Sequence, residues 1–405
     1  MVLRNDYFDT LWHFKDKQII KVITGLRRSG KSTLMEQFCE KLRDSGISDD
    51  QIFYLKMDDV INEPMLDYHI LHFAIRAQMK PDKMNYILID EVQMCKDFQK
   101  AINSLFLRKN VDIYLTGSNA DLLSGELATL LSGRYITIDI LPFSFSEYIN
   151  AAKDNHFPEQ PIEDAYRDYI RFGSMPFTLQ LKRDEKEIQQ YLSDVYNTII
   201  VKDIVARHQI NDFKSLESVI KFVFDNCANI FSAKKIADTL TSGGKKTSSP
   251  TVENYLQYLE ECFMIYRIDR YDIKGKARLS SLPKYYIADI GLRNSVCGFR
   301  NIDTGHILEN LIFLELKRRK YEVYTGKNGD NEIDFIAYNQ NEKYYIQVSE
   351  TVKNEETLQR ELKSFNNIRD AYPRILITLD YDINADYNGV RSINAYDFLL
   401  GKVQL

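Results

Sequence analysis

The chain lacks internal repeats, low-complexity tracts, metal-type cysteine spacing, long apolar runs and any surplus of positive charge. Without a repeat there is no stacked-repeat architecture to expect. The five cysteines (Cys39, Cys95, Cys227, Cys262 and Cys297) show no C-x-x-C spacing, and read as reduced thiols of a cytosolic protein. No apolar run reaches the roughly 18 residues that a membrane helix needs. The first residues carry Arg4, Asp6 and Asp9 where a signal peptide has its apolar core. No membrane span and no secretion signal are therefore expected, and the location expected is cytoplasmic. A net charge of −5 means that the surface as a whole does not advertise nucleic acid. What is present is bulk: 405 residues exceed one hydrophobic core, so two or three domains are expected. The 26 tyrosines and 22 phenylalanines are spread along the chain, as packing residues are.

The most informative stretch is Gly25-Leu26-Arg27-Arg28-Ser29-Gly30-Lys31-Ser32-Thr33, which fits G-x-x-x-x-G-K-[ST]. An apolar run, 19–24, precedes it as a buried strand, and a helical pattern from Thr33 follows. The glycines let backbone N–H groups turn towards phosphate oxygens, and the helix N-terminus adds its positive dipole end. Lys31 is placed to reach the β- and γ-phosphates and Ser32 to hold Mg²⁺. About sixty residues on, the strand 86–89 ends in Asp90 and Glu91. In a parallel sheet that end lies near the loop. Asp90 then serves the metal and Glu91 polarises a water, so the pair implies hydrolysis as well as binding. A third strand, 112–116, ends in Gly117-Ser118-Asn119, where Ser118 or Asn119 can sit between γ-phosphate and water. A helix over 121–131 and Ser132-Gly133-Arg134 lead into the strand 135–139.

This order of P-loop, acid pair, polar strand end and arginine resembles the AAA+ ATPases. The resemblance implies that Arg134 reaches a neighbouring subunit's nucleotide; the plainer reading is an arginine at a helix C-terminus. The runs 24–32, 115–119, 131–135 and 141–145 are closer to one bacterial and archaeal group. These are the MNS-type AAA+ ATPases with a C-terminal domain related to PD-(D/E)xK nucleases. The resemblance covers nearly the whole chain and implies ATP, Mg²⁺ and a homo-oligomeric, hexameric ring. It also implies an adenine-contacting turn at 171–176, with Gly173 and Pro176 matching and Ser174 in place of a second glycine. The fold class expected is α/β: a P-loop AAA+ core over 1–142, a helical lid over 143–212, a winged-helix domain over 213–300 and a PD-(D/E)xK-like domain over 301–405.

Within 213–300 the pattern predicts helices over 213–228, 233–240 (capped by Ser232) and from 250 (Ser249 as cap). Strands over 264–272 and 284–289 follow. Residues 231–280 carry three more basic than acidic side chains. Lys245, Lys246, Lys274, Lys276 and Arg278 are the candidates for DNA phosphates. Glu253, Glu260 and Glu261 on the third helix oppose that, and a protein contact is the alternative. From 305 onwards an α-β-β-β-α-β order resembles the nuclease fold. Glu309 and Asp334 match catalytic positions of that fold. Gln347 and Ser349 stand where an acid and a lysine belong, so the nuclease site reads as vestigial. The function expected is an ATP-driven motor acting on DNA; an ATP-gated switch acting on a protein, or an ATPase-regulated nuclease, are the alternatives.

Overall fold

The computed structural model describes residues 4–120, 131, 133–181, 183–275, 277–300, 304–340 and 342–405. Residues 121–130 of the helix expected over 121–131, Ser132 and Lys276 lie outside them, as does the side chain of Arg278. The chain divides into two compact units. The first comprises 1–142 with the short stretch 261–263, and the second 143–260 with 264–405.

In the first unit, helix α1 (Asn5–His13) precedes β1 (Ile20–Thr24), α2 (Lys31–Asp44), β2 (Ile52–Lys56), α3 (Tyr68–Gln78), β3 (Asn85–Asp90), α4 (Phe98–Phe106), β4 (Val111–Thr116) and β5 (Tyr135–Asp139). The five strands form one parallel sheet in the order β2-β3-β4-β1-β5. Strands β1, β3 and β4 are buried along their whole length. That follows from their near-continuous apolar runs, because a parallel sheet is covered on both faces. One core holds Leu71, Ile75, Ile102 and Leu105 from α3 and α4. The other holds Leu11, Leu34, Met35 and Phe38 from α1 and α2. Strand β4 lies between β1 and β3, so the acid pair is two strands away from the P-loop strand and Ser118 is nearer.

The second unit opens with α5 (Phe145–Asp154), α6 (Ile162–Phe172) and α7 (Glu185–Thr198), the last running on into a π-helix over Ile199–Val205. Then come α8 (Phe213–Asp225), α9 (Ala233–Ser242), α10 (Ser249–Glu261), β6 (Ile265–Asp272), β7 (Ala277–Ile287) and α11 (Ile290–Cys297). The chain ends with α12 (Thr304–Arg318), β8 (Glu322–Asn328), β9 (Asn331–Asn339), β10 (Glu342–Ser349), α13 (Glu355–Lys363), β11 (Arg374–Thr378), β12 (Val390–Asn394) and α14 (Ala395–Leu399).

Two local expectations are corrected. The cap of α10 is Ser248, whose hydroxyl accepts from the Thr251 N–H at 3.2 Å; Ser249 is already helical and Pro250 follows it. The second ribbon strand begins at Ala277, seven residues before the expected start. The boundary expected at 300 falls between strands of one sheet. The ribbon β6–β7 belongs to a seven-stranded sheet, β12-β11-β10-β9-β8-β6-β7, in which β6 pairs in parallel with β8 through Arg270, Tyr271 and Asp272. The expected winged-helix and nuclease-like parts therefore share one sheet.

Candidate nucleotide-binding site

Strand β1 ends at Thr24, and the chain turns at Gly25 with φ 140°. A Cβ there would lie 2.1 Å from the Ile140 carbonyl oxygen, so only glycine fits. Arg28 and Gly30 also take positive φ (67° and 100°), and Lys31 opens α2. The loop between Gly25 and Lys31 is thus curled at a helix start, the kind of end that suits an anion. Leu26 and Ser29 are buried, Arg28 is exposed, and Arg27, Ser32 and Thr33 are half-buried. Lys31 is buried, and its Nζ donates to the carbonyl oxygens of Gly25 (2.9 Å) and Leu26 (3.0 Å). The ammonium therefore stands over the loop, held by groups that a phosphate can replace. The Ser29 hydroxyl is buried and has no partner among the described residues, an unmet bond inside the cradle. The loop fits a polyphosphate.

Asp90 ends β3 and is buried. Burial raises its pKa, against hydrogen bonds from Thr116 and Ser32 that lower it. The Ser32 contact puts the two expected Mg²⁺ ligands side by side. The Thr116 hydroxyl donates to Asp90 and accepts from the Glu91 N–H at 2.9 Å, tying both acids to the end of β4. Glu91 holds a left-handed backbone, φ 53° and ψ 46°, which costs a non-glycine residue about 1–2 kcal/mol. That strain is offset locally: the Ser118 hydroxyl donates to Glu91 Oε2 at 3.3 Å, and Gln93 Nε2 donates to the same oxygen. Ser118 and Asn119 are both buried. The structure thus brings together Lys31 with its loop, Ser32 with Asp90, and Glu91 with Ser118.

Arg134 lies elsewhere. Its carbonyl accepts from the Ile20 N–H at 2.8 Å, at the starts of β1 and β5. The P-loop follows the other end of β1, about 15 Å along a strand of five residues. The Arg134 guanidinium donates to Asn103 Oδ1 at 2.6 Å and stands 6.0 Å from the Phe106 ring centroid. It is not part of its own subunit's loop.

Sequence reasoning misses Arg4. It is buried, and it donates to the Ser29 carbonyl at 3.0 Å and to the Leu141 carbonyl at 2.8 Å. It pins the P-loop to the chain beyond β5. No local pattern announces it, because its partners are 25 and 137 residues away.

In the second unit, Gly173 ends α6 with φ 79°, and Pro176 starts a short 3-10 turn. A Cβ on Gly173 would meet the Gly291 backbone at 2.6 Å. Asp289, fully buried, accepts from the Ser174 N–H (2.6 Å) and hydroxyl (2.7 Å), so Ser174 serves this turn as an anchor. Lys246 and Lys274 are exposed, and Lys245 donates to the Ser218 hydroxyl.

Of the residues read as a vestigial nuclease site, Glu309, Asp334 and Gln347 converge, with one unforeseen member, and Ser349 does not join them. Lys284 of β7 places its Nζ 2.8 Å from Glu309 Oε1, 2.7 Å from Glu332 Oε1 and 3.7 Å from Asp334 Oδ1. Gln347 donates to Glu361 Oε2 at 2.8 Å and is buried, whereas the Ser349 hydroxyl turns to the Thr351 carbonyl at 3.1 Å. Among the described residues no helix is long and apolar enough to cross a membrane.

A curled phosphate loop at a helix start, beside an acid pair on a parallel sheet, defines a P-loop nucleotide-binding domain. Comparison agrees: residues 17–149 match the AAA domain family, and residues 163–303 match a domain of unknown function, DUF8612. An uncharacterized protein of Haemophilus influenzae is 39% identical over 401 residues, 99% of each chain. Another, MJ1544 of Methanocaldococcus jannaschii, is 31% identical over 356 residues, 85% of this chain and 78% of that one. The chain belongs to the family of these proteins. Among solved structures, a Walker-type ATPase of Pyrococcus abyssi aligns with a TM-score of 0.49 at 14% identity, covering 73% of this chain and 96% of that one. The Aeropyrum pernix Orc1 protein in complex with DNA aligns with a TM-score of 0.34 at 9% identity, covering 73% and 92%.

Proposed function

We propose that the chain is a cytoplasmic, ring-forming AAA+ ATPase that couples ATP hydrolysis to the remodelling or movement of a partner, and that the partner is DNA. The observation that carries hydrolysis is Glu91, held by Ser118 and Gln93 beside a buried Asp90. In this reading the loop amides and Lys31 hold the triphosphate. Ser32 and Asp90 hold Mg²⁺, which supplies positive charge against the phosphate oxygens. Glu91 accepts the proton of the attacking water, and Ser118 or Asn119 orients that water. Arg134, at the far end of β1 from its own loop, is available to a neighbour's phosphates, which is the argument for a closed ring; six copies is what the family resemblance implies. Gly173 and Pro176 are assigned to the adenine turn from the family resemblance alone.

The DNA reading is supported by three helices followed by a ribbon, with Lys245, Lys246 and Lys274 at loop positions. Lys276 and Arg278 are assigned to the same grip from sequence alone. The test is the ATPase rate with and without duplex, single-stranded and four-way-junction DNA. Stimulation by one of them supports the motor. Nucleotide-dependent assembly with no response to any DNA replaces it with the switch acting on a protein.

A further inference from the structure

The charged nest around Lys284 has no part in the ATPase reading, and it lies within the second unit. Its members come from three elements: Lys284 and Tyr286 from β7, Glu309 from α12, and Glu332 and Asp334 from β9. The Tyr286 hydroxyl donates to the same Glu309 oxygen as Lys284, at 2.7 Å. The side chains of Lys284, Glu309 and Asp334 are 4, 9 and 11% exposed, while Glu332 is 34% exposed. His306, with its ring nitrogen 4.0 Å from Glu309, is half exposed. The nest therefore opens to solvent past Glu332 and His306.

Carboxylates that converge on one buried point need a cation there, since an unpaired buried charge is very costly. A divalent ion from solvent or a side-chain cation can meet that need. Here the ammonium stands where the three carboxylates point. Burial works against its charge, yet Glu309, Asp334 and Glu332 outweigh burial and hold the Lys284 pKa above its usual value. Burial would raise Glu309, but Lys284 and the hydrogen bonds hold it below the usual carboxylate range. Burial and the Glu309 charge push Asp334 well up, against Lys284 and the Val348 N–H, which lower it. The remaining ligand atoms are committed elsewhere. Asp334 Oδ2 accepts from the Val348 N–H at 2.9 Å, and the Gln347 amide is taken by Glu361 and by the Asp334 N–H. Among the described residues no group of three or more His, Cys, Asp or Glu is disposed to hold a metal ion.

We propose that Lys284 is the resident cation of this nest, standing in the position of a divalent ion, so that the C-terminal sheet is clasped without metal and cleaves no phosphodiester. The lysine absent at Ser349 is present in space, supplied by a distant strand and spent on neutralising the carboxylates. Removing it should open a metal site. Three oxygens now 2.7–3.7 Å from one point would close on Mn²⁺ to the roughly 2.0–2.6 Å that hard cations require.

The proposal does not depend on the ATPase reading, and its test uses nucleotide-free full-length protein. Mn²⁺ binding is followed by the loss of free-ion EPR signal. Wild type and Glu309→Gln should bind Mn²⁺ identically. Lys284→Met should gain one site, weak at about 0.1–1 mM, and the double variant Lys284→Met/Glu309→Gln should lose it. Wild-type binding or Mn²⁺-dependent DNA cleavage that Glu309→Gln abolishes would overturn the proposal, as would a folded Lys284→Met with no added site. Where Lys284→Met is too unstable to titrate, the melting temperature decides. The double variant should melt above the single one, because an unpaired buried carboxylate has been removed; a double variant that melts no higher overturns the clasp.

Discussion

Replacing Arg4 with methionine isolates what holds the P-loop in shape. Methionine keeps an unbranched apolar stem and removes the guanidinium. The Ser29 and Leu141 carbonyls then lose donors at 3.0 and 2.8 Å, in a site where Arg4 is 3% exposed. A hydrogen bond from a charged donor contributes about 1.5–3 kcal/mol, so the two together hold the loop by about 3–6 kcal/mol. Stacking adds to this, since the guanidinium carbon is 4.6 Å from the Tyr7 ring centroid. Part of the loss is recovered as water reaches the freed carbonyls. If about 2 kcal/mol falls on ordering the loop, ATP affinity drops about 30-fold. The bonds that hold Glu91, Ser118 and Asp90 run to Thr116, Gln93 and one another, so turnover at saturating ATP should stay within about threefold of wild type. Titration of a fluorescent ATP analogue gives the affinity, and a steady-state assay separates KM from kcat. Arg4→Lys, which keeps charge without the fork, should fall between. A folded Arg4→Met protein with wild-type affinity would refute the reasoning, and so would one whose kcat falls while KM holds.

Lys31→Ala should lose ATP binding, whereas Glu91→Gln should bind ATP and turn it over on the order of 10²-fold more slowly or worse, as read by binding and phosphate-release assays on the same samples. Arg134→Ala should bind nucleotide without hydrolysing it, and mixing it with Lys31→Ala should recover activity at interfaces that pair an intact loop with an intact arginine; no recovery in co-assembled protein returns Arg134 to a local role on Asn103. Changing Lys245, Lys246, Lys274, Lys276 and Arg278 together to alanine should weaken DNA binding for every sequence alike and flatten its salt dependence by roughly one unit of slope per lost phosphate contact. Unchanged, salt-insensitive affinity would move the DNA contact elsewhere.

What the sequence discloses here follows from where each constraint acts. The P-loop is legible because its demands are local: Gly25 and Gly30 are required by backbone angles, and Lys31 and Ser32 follow directly. The acid pair is legible because it ends an apolar strand downstream of a matched phosphate loop. Strand β2 escapes the sequence reading although Ile52-Phe53-Tyr54-Leu55 is an apolar run, because it lies at the sheet edge, half-buried throughout, and ends in no motif residues. Helices α3 and α4 escape the sequence reading, although Asp67 caps α3 through the His69 and Ile70 N–H groups. The cap of α10 is displaced by one residue because Ser248 and Ser249 compete and only the hydroxyl's direction decides. Arg4 and Lys284 are invisible for a different reason. Each acts across tertiary distance, and nothing in a linear pattern reveals that a buried cation on one strand answers carboxylates on another element.

The pairing of β6 with β8 bears on how this gene can be cut. A fragment ending near residue 300 keeps β6 and β7 but deletes the strand that covers β6. One starting there keeps β8 with the matching edge bare. Each would carry an open row of N–H and C=O groups at Arg270–Asp272 or Thr325–Lys327, a template for pairing with other chains. Expression of either piece alone should yield aggregates where the full chain stays in solution.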